Sequence, residues 1–388
     1  MIRDPESFDL LITTIERLVR ERLIPAEQEV AETDLIPPAI MEDMRRMGLF
    51  GLTIPEAYGG LGLTMEEEVL AAIALCRAAP AFRSLVGTNN GIGSLGLVFD
   101  GTEAQKRKYL PRLATGELIG SFALTEPGSG SDAGSLTTSA RREGDGYVLN
   151  GAKRYITNAP EAGIFTVMAR TDPQSRNASG VTAFIVERES AGLIVGKPDR
   201  KMGQRGAHTA DVIFENVRVP ADNVIGGVEG MGFKTAMKVL DKARIHIAAV
   251  SVGAATRILD EALSYAADRE QFGQPIAEFQ LVQAMLADSQ TELYAARSMT
   301  LDAARKRDNG EPVTMEAACC KLYASEMVGR VADRAVQIHG GAGYMQASAV
   351  ERFYRDVRLF RLYEGTSQIQ QLVIARSMLK GWKAAGRG

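Results

Sequence analysis

Three short segments hold residue types that could do chemistry. In Tyr363-Glu364-Gly365-Thr366-Ser367-Gln368-Ile369-Gln370, Ser367 and Gln370 have capping-box spacing. That spacing places Glu364 just before an apolar helix over Leu372–Leu379. A carboxylate there is favoured by the helix dipole, worth about 0.3–1 kcal/mol. Beside a glycine it is also a candidate mobile base. Burial against a bound apolar group would raise its pKa and the dipole would lower it, and the sequence leaves that balance open. The second segment is Leu124-Thr125-Glu126-Pro127-Gly128-Ser129-Gly130-Ser131-Asp132. Its glycines let backbone amides approach a ligand, and Thr125 and Ser131 add hydroxyls, so it suits a flavin edge or a pyrophosphate. Taken alone it is also an ordinary polar turn, and with no βαβ unit around it the dinucleotide fingerprint is excluded. In the third, Arg154-Tyr155-Ile156-Thr157-Asn158, Tyr155 and Thr157 stand two apart on a strand and so share a face. They could meet a planar ring or simply a neighbouring strand. Arg269-Glu270-Gln271-Phe272-Gly273 and Gln337-Ile338-His339-Gly340-Gly341-Ala342-Gly343-Tyr344 are less specific, although the second holds more glycine than a helix cap needs.

The elements that must position these residues change character along the chain. Apolar residues at Phe8, Leu11, Ile12, Ile15, Leu18 and Val19 have helical period. Further helices are expected from Pro37-Pro38 to Met47, from Thr64 (with Glu67 as its capping partner) towards Ala79, and from Glu103 to about Ala114. After Gly116 short β-rich runs take over: Tyr147–Leu149, Arg154–Thr157, Ile164–Ala169, Val181–Val186 and Val212–Val219. Turn formers at Asp145-Gly146, Asn150-Gly151 and Gly180 separate them, which points to an antiparallel barrel or sandwich. From Gly230 a helical period returns with few breaks, as in a four-helix bundle. The reading is an α+β protein: a helical part over 1–120, a β part over 121–226 and a helical bundle over 227–388.

Composition narrows the function. The chain has 388 residues, 45% hydrophobic and 24% charged, with a net charge of −3. That is an ordinary globular balance with no basic face for a nucleic acid. No apolar run approaches the roughly 18–20 residues of a membrane span. Cys76, Cys319 and Cys320 show no metal-ligand spacing with His208, His246 or His339, so no metal is expected and the cysteines read as small apolar residues. With no targeting segment visible, the expected compartment is cytoplasmic.

Taken together and in order, these segments resemble the acyl-CoA dehydrogenase family over nearly the whole chain. Ala123–Ser135 matches the family's first signature, and Gln337 to Asp356 the second except at Ala347, where an acidic or amide residue is usual. Met202-Gly203-Gln204-Arg205-Gly206 and Phe214-Glu215-Asn216-Val217-Arg218-Val219-Pro220 are also typical. The resemblance implies FAD as cofactor and oxidation of an acyl-CoA thioester to its trans-2-enoyl-CoA, with electrons passing to an electron-transfer flavoprotein. Glu364 stands where short- and medium-chain members keep the catalytic base. The alternative base position of other members falls on Ala243. Thr125, Ser131 and Thr157 fall at flavin-contacting positions, while Tyr155 replaces the usual Trp. Arg269, Phe272, Gln337, Gly340 and Gly341 match positions that reach the FAD of a neighbouring subunit, and Thr366 and Gln368 match others near the adenosine half. A homotetramer, or at least a dimer, is implied. Arg244 matches a position near the CoA moiety, against a plainer reading as a surface salt bridge. Ser131 and Tyr363 are placed on the substrate side.

The acyl group is harder to read. The small residues of Gly87–Gly96 could leave room for a long or branched tail. Arg83 resembles, in its spacing before Glu103, the arginine with which glutaryl-CoA dehydrogenases hold a distal carboxylate. A dicarboxylyl-CoA substrate is therefore an alternative, as is an oxygen-using acyl-CoA oxidase-like activity.

Overall fold

A computed structural model describes residues 1–175 and 178–384. Helices come first: α1 (Pro5–Leu18), α2 (Ile24–Thr33), α3 (Pro38–Arg46), α4 (Met65–Leu75), α5 (Pro80–Thr88), α6 (Leu95–Asp100) and α7 (Glu103–Ala114). Local chemistry sets their ends. Pro38 and Pro80 open α3 and α5, where a missing N–H costs nothing. Thr64 and Glu67 close the expected capping box on α4, with bonds of 2.9 and 3.3 Å. That helix stops at Leu75 rather than near Ala79, and Pro80 holds Ala79 in an extended conformation (ψ 134°) between α4 and α5.

The middle sheet contains β1 (Gly120–Ala123), β2 (Ser139–Glu143), β3 (Gly146–Thr157), β4 (Ile164–Arg170), β5 (Val181–Glu187), β6 (Leu193–Val195) and β7 (Thr209–Pro220). The ladders β2–β3, β3–β7, β7–β6 and β4–β5 are antiparallel, as in Arg141↔Val148, Leu149↔Val217 and Val167↔Phe184. The sheet is not antiparallel throughout, however. β1 runs parallel to β4, with Phe122 opposite Thr166, since the chain travels through the β2–β3 hairpin before returning along β4. Asn150-Gly151 is not a turn either. It is a bulge inside the continuous β3, and Gly151 takes φ +150° at a point where a Cβ would stand 2.6 Å from Thr138 Oγ1.

The chain ends in α8 (Gly232–Asp268), a small hairpin of β8 (Glu270–Gln271) and β9 (Gln274–Pro275), then α9 (Gln280–Asp308), α10 (Thr314–His339), α11 (Ala349–Val357) and α12 (Ser367–Ala384). Helices α8, α9 and α10 pack on one another and α12 lies along α10. The three parts share their interiors. Met65, Val69 and Ile73 of α4 belong to the bundle core. Leu97, Tyr109 and Leu113 pack with Phe122, Ile164 and Ile185 of the sheet and Ala236 of α8. Buried Glu27 accepts from Arg352 Nη2 at 2.6 Å and from the Ala79 N–H at 2.7 Å, tying α2 to α11. Among the described residues no helix is long and apolar enough to cross a membrane.

Helices α4 and α8 approach closely at Gly253, where a Cβ would stand 2.5 Å from the Ile73 carbonyl oxygen. Gly253→Ala should therefore destabilise the fold by about 1–3 kcal/mol despite alanine's better helix propensity. A lower denaturant midpoint with an unchanged slope is the expected result.

Candidate active site at the junction of the three parts

Glu364 sits on the link between α11 and α12. Tyr363 stacks on Phe360 with ring centroids 5.9 Å apart, after which Glu364 and Gly365 take φ of +55° and +88°. The link is pinned rather than free to hinge. Lys321 Nζ of α10 donates to the Gly365 carbonyl at 2.7 Å, and Gln370 Nε2 donates to the carbonyls of Glu364 and Gly365 at 3.1 and 2.9 Å. Thr366, not Ser367, accepts the Ile369 N–H as the helix cap, while Ser367 Oγ donates to Glu326 at 2.6 Å. The capping spacing in the sequence was thus one residue out of step.

The carboxyl faces a narrow cleft shared with Arg83 and Thr88 of α5, Thr157 of β3, and Ala243 and His246 of α8. Glu364 Oε2 is sealed from solvent and has no hydrogen-bond partner among the described residues. Burial raises its pKa, and the charges of Arg83, Lys321 and Arg244 pull it partly back. Desolvation, not the helix dipole, therefore sets the direction of the shift. Tyr363 lines the same cleft, and burial pushes its hydroxyl pKa up.

Arg83 reaches the cleft because Gly87 lets it lie back over α5: a Cβ on Gly87 would come within 2.6 Å of Arg83 Nε. That nitrogen donates to His246 Nε2 at 2.8 Å. Arg83 fills the space at Gly87 and Gly93 packs on the Gly120 backbone, while Gly91, which lines the cleft, stays open, so only part of the Gly87–Gly96 run offers the expected room. Arg244 is no surface residue. It is 6% exposed and donates to Asp241 at 2.5 Å, acting on Glu364 through its charge rather than by lining the cleft.

On the other side lies the loop after β1. Its frame is a buried ion pair: Lys153 Nζ of β3 donates to Glu126 Oε1 at 2.8 Å and to the Leu124 carbonyl at 3.1 Å. Glu126 also accepts the N–H groups of Thr137 and Thr138. Burial alone would raise the Glu126 pKa, but Lys153 and these bonds hold it at about 2, while burial brings Lys153 down to about 8. The Arg154 N–H donates to the Thr125 carbonyl at 2.9 Å, and Ser121 Oγ to the Thr157 carbonyl at 2.6 Å, which fixes the backbone of both threonines against the β1–β3 contact. Ser131 is exposed at the loop's edge, and nothing stands within 4 Å of where a Cβ would be on Gly128 or Gly130. Tyr155 does not simply alternate with Thr157. A register shift between Lys153 and Ile156 puts it at φ +60°, 63% exposed, with the Arg154 guanidinium 4.5 Å above its ring. An open glycine loop, a hydroxyl within the cleft and an exposed aromatic ring fit a flavin, with Thr125, Ser131, Tyr155 and Thr157 as the residues that would hold it.

Arg269, Phe272, Gln337, Gly340 and Gly341 form a second, exposed group that does not line the cleft. The two segments meet where Tyr265 of α8 stacks on His339 of α10 at 4.2 Å. Phe272 stands at the hairpin tip with φ +55° and 94% exposure. Thr366 and Gln368 lie at the start of α12, Gln368 exposed. Sequence reasoning missed Lys153 with Glu126, Lys321, and the pairing of His246 with Arg83. Only Lys153 left a signal, a charged residue on a buried strand face.

The family model for the acyl-CoA dehydrogenase N-terminal domain matches residues 5–117, that for the middle domain 121–217, and that for the C-terminal domain 230–379. The chain belongs to the acyl-CoA dehydrogenase family. It is accordingly an FAD-dependent oxidoreductase acting on acyl-CoA. It is 42% identical to the caffeyl-CoA reductase-Etf complex subunit CarC of Acetobacterium woodii, over 95% of this chain and 98% of that protein. It is 40% identical to the human mitochondrial short-chain specific acyl-CoA dehydrogenase, over 98% and 92% of the two chains. The structure of butyryl-CoA dehydrogenase from Megasphaera elsdenii superposes with a TM-score of 0.93 at 35% identity, covering 98% of this chain and all of that one.

Breaking the buried pair tests the loop's frame. Lys153→Met leaves Glu126 buried without its ammonium and should cost about 3–5 kcal/mol. A lower melting temperature together with a lower flavin-to-protein absorbance ratio is expected.

Proposed function

We propose that the chain dehydrogenates a short acyl-CoA at the Cα–Cβ bond, with Glu364 as the base. The observation that carries this is the Glu364 carboxyl, sealed from solvent and unpartnered at Oε2, on the cleft that Thr157 shares. One other carboxylate lines that cleft, Glu68, which is locked by Lys242 and His246 and held at about 2. Ala243, at the family's alternative base position, offers none.

The Cα–H bond breaks and its proton passes to Glu364, while the Cβ–H electron pair leaves as hydride. An FAD held by Thr125, Ser131, Tyr155 and Thr157 would supply the hydride acceptor. An α-C–H is weakly acidic, so the thioester carbonyl needs hydrogen-bond donors as enolate character develops. The Glu364 N–H has no intramolecular acceptor among the described residues and is available for this. The packed cleft excludes water from the reacting carbon. Exposed Phe272 and the apolar surface of α12 (Leu372, Met378, Leu379, Trp382) support a homotetramer in which a neighbour completes each FAD site, with Arg269, Gln337, Gly340 and Gly341 contributing and Thr366 and Gln368 near the adenosine. The Etf-complex relative supports an electron-transfer flavoprotein as electron partner.

Arg83 favours a second reading. Its guanidinium points into the cleft, and among the described residues it has no carboxylate partner. A substrate with a distal carboxylate, such as a glutaryl-type thioester, would supply one.

Anaerobic titration with butyryl-, isobutyryl-, octanoyl- and glutaryl-CoA separates these readings. Bleaching near ~450 nm is expected with at least one thioester, slowed by roughly 10²–10⁴-fold in Glu364→Gln. A flavin that stays oxidised with all of them would sink the proposal. The rate should rise with pH through an apparent pKa above the ordinary carboxylate value of 4.5. Arg83→Met removes a charge that favours the carboxylate, so its kcat/KM profile should move to higher pH. A glutaryl-CoA preference lost in the same variant would establish the second reading.

A further inference from the structure

The cleft that holds Glu364 ends in a wall of charged side chains that the proton transfer does not use. Arg83 Nε donates to His246 Nε2 at 2.8 Å, His246 Nδ1 stands 2.8 Å from Glu68 Oε1, and Glu68 Oε2 pairs with Lys242 Nζ at 2.8 Å. Arg83, Glu68 and Lys242 are buried, and the His246 side chain is 12% exposed. Arginine can only donate, so His246 Nε2 is the acceptor and Nδ1 carries the proton, close to the Glu68 carboxylate but without the geometry of a hydrogen bond to it. Burial and the Arg83 charge both favour the neutral ring that this arrangement requires. Four ionisable groups in one wall cost more to bury than an apolar wall of the same size, so stability alone does not account for them.

The wall has two sides. Glu68, Arg83, Gly87 and His246 face Glu364 on one, and on the other an apolar space bounded by Ile15, Leu52, Leu75 and Val86. Free volume is small on both, about 30 Å³ beside Glu364 and about 10 Å³ behind. An acyl tail entering past Glu364 stops at the Arg83–His246 contact. Going further would break buried hydrogen bonds, although the space behind is itself apolar.

We propose that His246 is a specificity-determining residue: its ring closes the end of the acyl cleft and limits the substrate to a short acyl group. This rests on the assignment of the Glu364 cleft as the acyl site. Lys242 holds Glu68 independently of His246, so loss of the ring opens a gap without releasing the acidic end of the wall. The gap is the size of an imidazole and joins the apolar space behind, enough for a hexanoyl tail.

The test compares kcat/KM for butyryl- and hexanoyl-CoA in the wild-type holoenzyme, His246→Ala and His246→Gln. Glutamine can accept from Arg83 through Oε1 and donate to Glu68 through Nε2, which keeps the wall. The hexanoyl-to-butyryl ratio should rise on the order of tenfold in His246→Ala, as burial of two more methylenes gives. It should stay near the wild-type ratio in His246→Gln. An unchanged ratio in His246→Ala, or an equal rise in both variants, overturns the role of His246 alone. If His246→Ala does not fold, His246→Asn, too short to bridge both partners, takes its place under the same criteria. A wild-type flavin that no acyl-CoA reduces overturns the acyl-site assignment, and the wall's role with it.

Discussion

A carboxylate that takes a proton from carbon has to be out of water, yet not so isolated that it stays protonated. Everything around Glu364 follows from that balance. Burial raises its pKa, and three cations from three different helices oppose it: Arg83 on α5, Arg244 on α8 and Lys321 on α10. Lys321 has a double part, since its ammonium also holds the Gly365 carbonyl and so fixes where the carboxyl points. The cost shows in the cation too, whose own pKa falls to about 8 through burial, with Glu364 opposing the fall.

The site therefore depends on how the three parts of the chain close on one another. The helical N-terminal part brings Arg83, the sheet brings Thr157, and the bundle brings Glu364, Ala243 and His246 to one cleft. No single part could exclude water from that point. The shared cores do so: α4 seated on α8 at Gly253, Phe122 and Ile164 of the sheet packed on α6 and α7, and Glu27 tied to Arg352. The glycine loop after β1 obeys the same rule. Its backbone is bound by Lys153 and Glu126 on the inside, which leaves the glycine side open for a ligand.

How much of this was legible in the sequence depended on how local the cause was. The bounds of α7, the capping box at Thr64 and the helix start at Pro38 come from interactions within four residues, and they read correctly. The order helix, sheet, helix was legible because the hydrophobic period changes with it. Misreadings fell where tertiary context overrode a local signal. Asn150-Gly151 reads as a turn, but pairing with β7 carries the strand through it. Tyr155 and Thr157 have strand alternation, but a bulge breaks it. The parallel β1–β4 pair has no local signature at all. At the site, Glu364, Arg83 and Thr157 stood out by type and context, whereas His246 and Glu68, 178 positions apart, look like ordinary helix residues until the fold brings them together. The glycines near Arg83 suggested empty space, and at Gly87 the structure fills it with Arg83 itself.

The central claim is that Glu364 removes the α-proton. A CoA thioester with sulfur at the β-position has no hydride to give, so it isolates proton transfer from flavin reduction. Incubated with the holoenzyme in D2O, such a 3-thia-acyl-CoA should exchange its α-hydrogen for deuterium, detected by mass spectrometry, and Glu364→Gln should abolish the exchange while still binding the analogue. Exchange that continues undiminished in Glu364→Gln would contradict the account and place the base elsewhere.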